Sequence, residues 1–133
     1  MFKSKFSIQE HRPKKRRSNR HLDLRILNEK KNTLWSWALP KSKFPRKGEQ
    51  RLAIRTPNHP PSYMYFHGDL ENGDSVSVYD RGDCKVLVNK HNLIVVYFRG
   101  KKINGAYNLI KLQSSKRKDS WIITKLKEND KKR

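Results

Sequence analysis

The chain has 133 residues and one cysteine, Cys84, which is typical of a single domain and excludes an intrachain disulfide or a multi-cysteine zinc site. The formal net charge is +20, from 32 Lys and Arg against 12 Asp and Glu, so polyanions, and nucleic acid first among them, are the expected partners. No apolar run is long enough to span a membrane and no secretory signal is visible, so we expect an intracellular protein, cytoplasmic or nucleoid-associated, without membrane binding.

Hydrophobic residues alternate with period two, or form short β-branched and aromatic runs, along most of the chain. The strands predicted from this pattern lie at 5–11, 20–27, 33–39, 51–56, 74–80, 84–89, 92–99, 105–112 and 120–126. No segment has a strong helical stripe, although one or two short turns of helix are compatible with "PPSYMYF". Nine short strands favour an all-β fold, either a barrel or a sandwich, in one domain covering 1–133.

Two basic stretches flank parts of this pattern. The first, "RPKKRRSNR", is an insertion at 12–20 between the first two predicted strands. The second, "KLKENDKKR", ends the chain, and we expect a flexible tail at 127–133. A solvated charge run explains the tail, whereas the insertion lies beside the polar face of the next strand.

That polar face belongs to the stretch "RHLDLR". In a strand, His21, Asp23 and Arg25 point to one side while the intervening leucines point to the other. His11, at the end of the preceding strand, adds a second imidazole if the two strands pair. Two nitrogens and one oxygen suit Mn²⁺, Fe²⁺ or Zn²⁺ with open coordination positions. Spacing alone fits an exposed polar strand face equally well, so both interpretations stay open.

Four further residues have the chemistry of a phosphate pocket. Lys41 follows an apolar strand, Arg51 begins another, His59 lies in a Pro-bounded loop and Tyr63 follows it. Arg and Lys bind phosphate, and a nearby His can act as general acid or stabilise a transition state. Taken singly, each residue is also explained as an ordinary surface or core-edge side chain.

The motifs "FSIQEH", "RHLDLRI", "LWSWALPK", "RLAIRTPNHPPSY" and "FHG" occur in this order. Through them the chain resembles the 3′-phosphoesterase domain of bacterial DNA ligase D and its stand-alone relatives, from Phe6 to about Asp130. The resemblance implies a compact β-barrel of eight or nine strands with little helix. It also implies a divalent metal, preferably Mn²⁺ with Zn²⁺ or Co²⁺ as alternatives, bound by His11, His21 and Asp23.

The same resemblance implies an activity and its residues. Arg25, Lys41, Arg51, His59 and Tyr63 take the phosphate-contacting and catalytic roles, with His59 assisting the leaving oxygen. The family removes a 3′-terminal ribonucleotide from a primer strand and then the resulting 3′-phosphate, which leaves a 3′-OH. We therefore expect a monomeric DNA-repair hydrolase of non-homologous end joining. Its partners would be a primer–template end and a separate DNA ligase or polymerase.

The chain departs from the family pattern at two places. Nine residues separate His11 from His21, more than the family usually has. If this insertion bulges outward, His11 keeps its ligand role, and if it shifts the register another group must replace it. His67 stands where the family has a glutamate, which would add an imidazole close to the pocket.

Two other classes of function stay open. A non-catalytic, basic, nucleic-acid-binding β-barrel would account for the charge, with Trp35, Trp37, Tyr97 and Trp121 as stacking or core residues. A non-haem iron oxygenase would use His21 and Asp23 together with a distal ligand, one of His59, His67 and His91. The oxygenase interpretation leaves the remaining motifs unexplained.

Overall fold

The structure, a computed structural model, describes residues 1–15, 19–113 and 119–127. Within these ranges it has nine strands and one short 3-10 helix, Pro61–Tyr63, in the stretch that is compatible with helical turns. The strands are β1 Phe2–Arg12, β2 His21–Asn28, β3 Thr33–Pro40, β4 Gln50–His59, β5 Gly68–Asp69, β6 Ser75–Lys90, β7 Leu93–Gly100, β8 Asn104–Lys111 and β9 Ser120–Lys125.

Eight of these strands close into an antiparallel barrel. The order around the sheet is β1, β2, β3, β4, β9, β8, β7 and β6, and β6 pairs back onto β1. The short β5 adds to β6 at Gly68 and Asp69. The predicted all-β barrel is therefore confirmed, with eight strands in the closed sheet and one beside it.

The predicted strands at 74–80 and 84–89 are one continuous strand, β6. The sequence "DRGD" between them is typical of a turn, but here the chain continues straight through it. Gly82 allows this because a Cβ at that position would collide with the backbone of Arg99 on β7. Asp80 accepts backbone hydrogen bonds from residues 101 to 103, so its carboxylate caps the β7–β8 turn.

Period-two alternation separates the core from the outer face of the barrel. Phe6 and Ile8 of β1 and Leu24 of β2 are fully buried inside. The chain's three tryptophans are also core residues, and they are Trp35, Trp37 and Trp121. Burial of all three removes the stacking role that a purely nucleic-acid-binding barrel would assign to them. The alternate residues of β1 and β2, on the outer face, carry the predicted metal ligands.

Three segments lie outside the described residues, namely 16–18, 114–118 and 128–133. The first belongs to the basic insertion and the last contains nearly all of the predicted tail. In the part of the chain that the structure describes, no helix is long and apolar enough to cross a membrane.

Candidate metal and phosphate site

The β1–β2 ladder brings the two predicted histidine ligands together. His11 is the register partner of His21, and Gln9 is the partner of Asp23. The two imidazole rings are stacked with centroids 4.8 Å apart. The register of β1 and β2 therefore keeps His11 opposite His21, although the basic insertion separates them in sequence.

His11, His21 and Asp23 form a group that could hold a metal ion. One potential ligand atom from each lies within 4.8 Å of the others. His21 Nδ1 lies 3.0 Å from the carbonyl oxygen of Asn19, so this nitrogen donates and Nε2 carries the lone pair. His21 Nε2 in turn lies 3.2 Å from Asp23 Oδ2. Two electron-pair donors facing each other favour a cation between them, so the donor set fits a divalent metal.

The pKa of His21 also indicates that this group favours a cation. Asp23 raises the pKa of His21, because it accepts a hydrogen bond from Nε2 when the imidazole is protonated, and burial opposes the shift. A carboxylate that stabilises positive charge on an imidazole also stabilises a metal cation bound beside it. The site therefore favours a positive charge at the place where His21 and Asp23 meet.

Asp74 orients His11 and was not predicted from the sequence. Its Oδ2 lies 2.9 Å from His11 Nε2, and its Oδ1 accepts the backbone N–H of Lys14 at 3.0 Å. The hydrogen bond from His11 is the largest cause that lowers the pKa of Asp74, and the one from Lys14 is the second. The carboxylate is therefore ionised and accepts a hydrogen bond from Nε2 of His11. Nδ1 of His11 is then the atom with a lone pair for a metal. Asp74 stands in "ENGDS", a sequence typical of an ordinary turn.

Arg25 lies beside the metal group and is almost completely buried. Its Nη2 is 3.8 Å from Asp23 Oδ2, and its Cζ is 5.2 Å from the centre of the Tyr63 ring. Burial lowers the pKa of Arg25, while Asp23 opposes that shift. The guanidinium is thus held at the site by a carboxylate and an aromatic face, which is an arrangement suited to a phosphate oxygen.

His59 closes the other side of this pocket. Its Nδ1 is 2.8 Å from the carbonyl oxygen of Pro57 and 3.3 Å from Arg25 Nη1, and its ring centroid is 5.2 Å from that of Tyr63. Because a carbonyl only accepts, Nδ1 carries the hydrogen and Nε2 the lone pair. Burial, and next the charge of Arg25, lower the pKa of His59. The imidazole is therefore neutral at neutral pH.

Gln9 connects Arg25 to the segment that covers the site. Its Oε1 accepts from Arg25 Nε at 3.0 Å, and its Nε2 donates to the carbonyl oxygens of Tyr63 and Phe66, each at 3.0 Å. Gln9 is fully buried. The residue stands in the motif "FSIQEH", so a sequence signal existed, but no role was assigned to it. Its amide fixes both the guanidinium and the covering segment.

Lys41 lies at the edge of the site. It follows Pro40, which is the register partner of His21 on the neighbouring strand. Its side chain is exposed and its backbone has a φ of 62°, a left-handed conformation that is uncommon for lysine. Ser42 has a φ of 52° as well, so the two residues form a turn that takes the chain away from β3 beside His21, a potential metal ligand.

The structure places Arg51 beside Glu49, and its catalytic role stays a prediction. Its register partner on β9 is Ile123, a core residue, so the side chain starts from the inner face of β4. Its Nη2 lies 3.6 Å from Glu49 Oε1, and its Nε is buried without a hydrogen-bond partner. His59 is eight residues further along the strand, which corresponds to roughly 26 Å of extended chain.

Among the described residues, His67 and His91 do not belong to the group of potential metal ligands. Both are exposed, and the cluster found among the described residues has His11 as its second imidazole. The oxygenase interpretation required a distal ligand among His59, His67 and His91, and none of them belongs to this cluster. The second imidazole of this group, His11, comes from the neighbouring strand β1 instead.

The fold and the site together define a class of protein: an antiparallel β-barrel whose outer face places potential metal ligands beside groups that suit a phosphate. Comparison with known proteins then gives the family. Residues 9–125 match the model of the DNA ligase D 3′-phosphoesterase domain. The chain therefore belongs to this family of DNA-repair phosphoesterases, and the predicted resemblance is confirmed.

Several curated proteins named as multifunctional non-homologous end joining proteins LigD are similar to this chain. The one from Mycolicibacterium smegmatis is 31% identical over 139 residues, covering 93% of this chain and 17% of the relative. The one from Pseudomonas aeruginosa is 30% identical, covering 85% and 14%. The one from Mycobacterium tuberculosis is 32% identical, covering 92% and 16%. The chain thus spans a small part of the length of each of these relatives.

Proposed function

We propose that this chain heals DNA 3′ ends as a metal-dependent phosphoesterase. It would remove a 3′-phosphate from a primer–template end to leave a 3′-OH. In the preceding step it would cleave a 3′-terminal ribonucleotide so that the phosphate stays on the primer and the nucleoside is released. The observation that supports this proposal is the meeting of the His11, His21 and Asp23 group with Arg25 and His59 in one pocket. Family membership supports the reaction class, and the contacts in the pocket support the choice of residues.

In this proposal His11, His21 and Asp23 hold a divalent ion, with Mn²⁺ as the first choice. The chemistry that such an ion supplies is polarisation of a phosphoryl oxygen and activation of water. Arg25 donates its Nη hydrogens to the other phosphoryl oxygens, since Gln9 already occupies Nε. The guanidinium therefore offsets the charge that builds up on phosphorus-bound oxygens in the transition state.

The tautomer of His59 decides which way it would move a proton. The carbonyl of Pro57 holds the hydrogen on Nδ1, so Nε2 is the basic atom. A neutral imidazole in this tautomer accepts a proton from attacking water, and it is less suited to donating one to the leaving oxygen. We therefore assign His59 as general base, in place of the leaving-group assistance expected from the sequence. Tyr63 packs against His59 and Arg25 and positions both.

The substrate in this proposal is a DNA end, and a net charge of +20 supports it. Lys41, at the edge of the site, is available for a phosphate near the reactive end. A separate ligase or polymerase would then use the 3′-OH product. A protein with this charge binds a DNA backbone in a strongly salt-dependent way.

The test is an assay of primer–templates that end in a 3′-phosphate or a 3′-ribonucleotide, each with Mn²⁺ or with EDTA. We expect phosphate release with Mn²⁺ only, and its loss in His21→Ala and Asp23→Asn. His91→Ala is the matched control, because His91 is exposed and outside the metal group. Undiminished turnover of His21→Ala, or of the wild type in EDTA, would refute the assigned site. Tight DNA binding without phosphate release from either end would favour the non-catalytic barrel.

A further inference from the structure

A second cationic surface lies on the outer face of the barrel, where β1, β6 and β7 run side by side. It is a groove with a volume of about 720 Å³, and none of the residues assigned to the metal and phosphate site lines it. Its charged lining consists of four cations and two carboxylates, namely Lys3, Lys5, Lys85, Arg99, Glu29 and Asp83. The groove is therefore net positive.

The strand register places two lysines of this groove directly opposite each other. Lys3 on β1 is the partner of Lys85 on β6, and both are exposed. Like charges in such a cross-strand pair destabilise a sheet. The neighbouring carboxylate in the ladder, Asp83, is held by Lys5 at 2.8 Å. An anion in the groove would relieve the repulsion that this pairing creates.

The groove and the metal site are aligned along β1. Odd-numbered residues of β1 share the outer face, so Lys3 and Lys5 point to the same side as His11. They precede His11 by eight and six residues, which is roughly 26 and 20 Å of extended strand. Arg81 on β6 lies between Lys5 and His11 along this face, because it is the register partner of Ser7. Its Cζ is 4.9 Å from the centre of the Tyr65 ring. Cations thus follow the strand from the groove towards the site.

We propose that this groove binds the sugar–phosphate backbone of the double-stranded part of the DNA whose 3′ end is processed at the metal site. The inference rests on the proposed function. At about 3.4 Å per base pair, the spacing along β1 places the bound phosphates roughly six to eight base pairs from the reactive end. A DNA backbone is a polyanion that fits both the positive charge of the groove and the linear arrangement of the groove and the metal group along β1. Tyr97 and Leu87 line the same groove and offer apolar surface to the sugars.

The test compares two double variants with the same loss of charge. Lys3→Ala with Lys85→Ala removes the opposed pair in the groove. Arg46→Ala with Lys127→Ala removes two exposed cations elsewhere. Fluorescence anisotropy measures the affinity for DNA hairpins with a 3′-phosphate and a stem of about four or about twelve base pairs, at several salt concentrations. The shorter stem does not reach the groove from the reactive end, and the longer one does.

For the longer duplex, we expect the groove variant to lose about two units from the slope of log affinity against log salt. The wild type and the control should bind the longer duplex more tightly than the shorter one, and the groove variant should lose most of that gain. Equal slopes and equal length dependence in the two double variants would overturn the proposal.

A second readout separates this inference from the proposed function. With saturating short duplex and Mn²⁺, the groove variant should release 3′-phosphate at the wild-type rate, because its changes lie outside the reacting site. A wild type that releases no phosphate would refute the proposed function, while the binding comparison would still decide the groove. The melting temperature of the groove variant should equal or exceed that of the wild type, since a repulsive pair is removed.

Discussion

Asp74 accepts a hydrogen bond from Nε2 of His11 at 2.9 Å, across 63 residues of sequence. The same carboxylate accepts the backbone N–H of Lys14, in the basic insertion that follows β1. One side chain thus fixes both a potential metal ligand and the start of the loop that leads to the second ligand, His21. Asp74 is therefore a positioning residue through which the insertion and the metal group are coupled.

Replacing Asp74 should weaken metal binding more than it weakens the fold. Asp74→Ala leaves His11 free to rotate and change tautomer, and loss of such a partner typically costs about 10–100-fold in metal affinity. Asp74→Asn keeps an acceptor oxygen, so its loss should be smaller. Calorimetric titration with Mn²⁺ measures both, with the exposed Asp69→Ala as control. Wild-type affinity in Asp74→Ala would contradict the positioning role.

Gln9 should be needed both for stability and for the covering segment. Gln9→Ala leaves the buried Nε of Arg25 and the carbonyls of Tyr63 and Phe66 without their partner. Each unsatisfied buried group costs about 1–3 kcal/mol, so we expect a fall of several kcal/mol in the free energy of unfolding. Urea unfolding measures the loss.

Hydrogen exchange provides the second measurement for Gln9. Amides of residues 62–67 should exchange faster in Gln9→Ala than in the wild type, while those of the β7–β8 hairpin should not change. The matched control is Glu10→Ala, because Glu10 pairs with Arg12 near the surface. Unchanged exchange in residues 62–67 of Gln9→Ala would show that other contacts hold the segment.

Local periodicity was sufficient to predict most of the barrel and one side of its site. Alternation in "RHLDLR" places His21, Asp23 and Arg25 on one face because strand geometry is nearly independent of context. The position of His11 depended on register, which the length of the insertion leaves undetermined. Only the ladder itself shows that His11 lies opposite His21.

Other features depend on contacts that no local pattern contains. Asp74 reaches His11 from a turn, and an aspartate in a turn ordinarily bonds to its own loop. Arg51 alternates with Leu52, yet both faces of β4 are partly buried, so the sequence could not say which side chain faces inward. "DRGD" has the composition of a turn, and Gly82 is there because β7 passes close to it.

His59 and Arg51 should give opposite results when replaced. His59→Ala removes the basic Nε2 and should lower turnover by roughly 10²–10⁴-fold with little change in unfolding free energy. Arg51→Met removes a half-buried charge but keeps packing volume, and the Arg51 guanidinium lies beside Glu49 rather than beside Arg25 or His59. It should therefore keep turnover within a few-fold. Phosphate release at saturating substrate measures both, and a collapse of turnover in a folded Arg51→Met would assign Arg51 to the reaction.

Cys84 should report on the integrity of the barrel, because its thiol is buried between β1 and β7. Burial, the largest cause, raises the pKa of Cys84 to about 12. The reactive thiolate is thus scarce at pH 8, and a disulfide reagent should label the native chain roughly 10³-fold more slowly than an ordinary thiol.

Guanidinium should remove the protection of Cys84 and allow one label per chain, because the unfolded thiol regains its ordinary pKa. The raised pKa also stabilises the fold below the pKa of the unfolded thiol, and this contribution is lost as the pH rises from there towards 12. The labelling rate of the native chain should accordingly increase between pH 8 and 10. Rapid labelling of the native protein at pH 8 would mean that β1 separates from β6 far more often than a closed barrel allows.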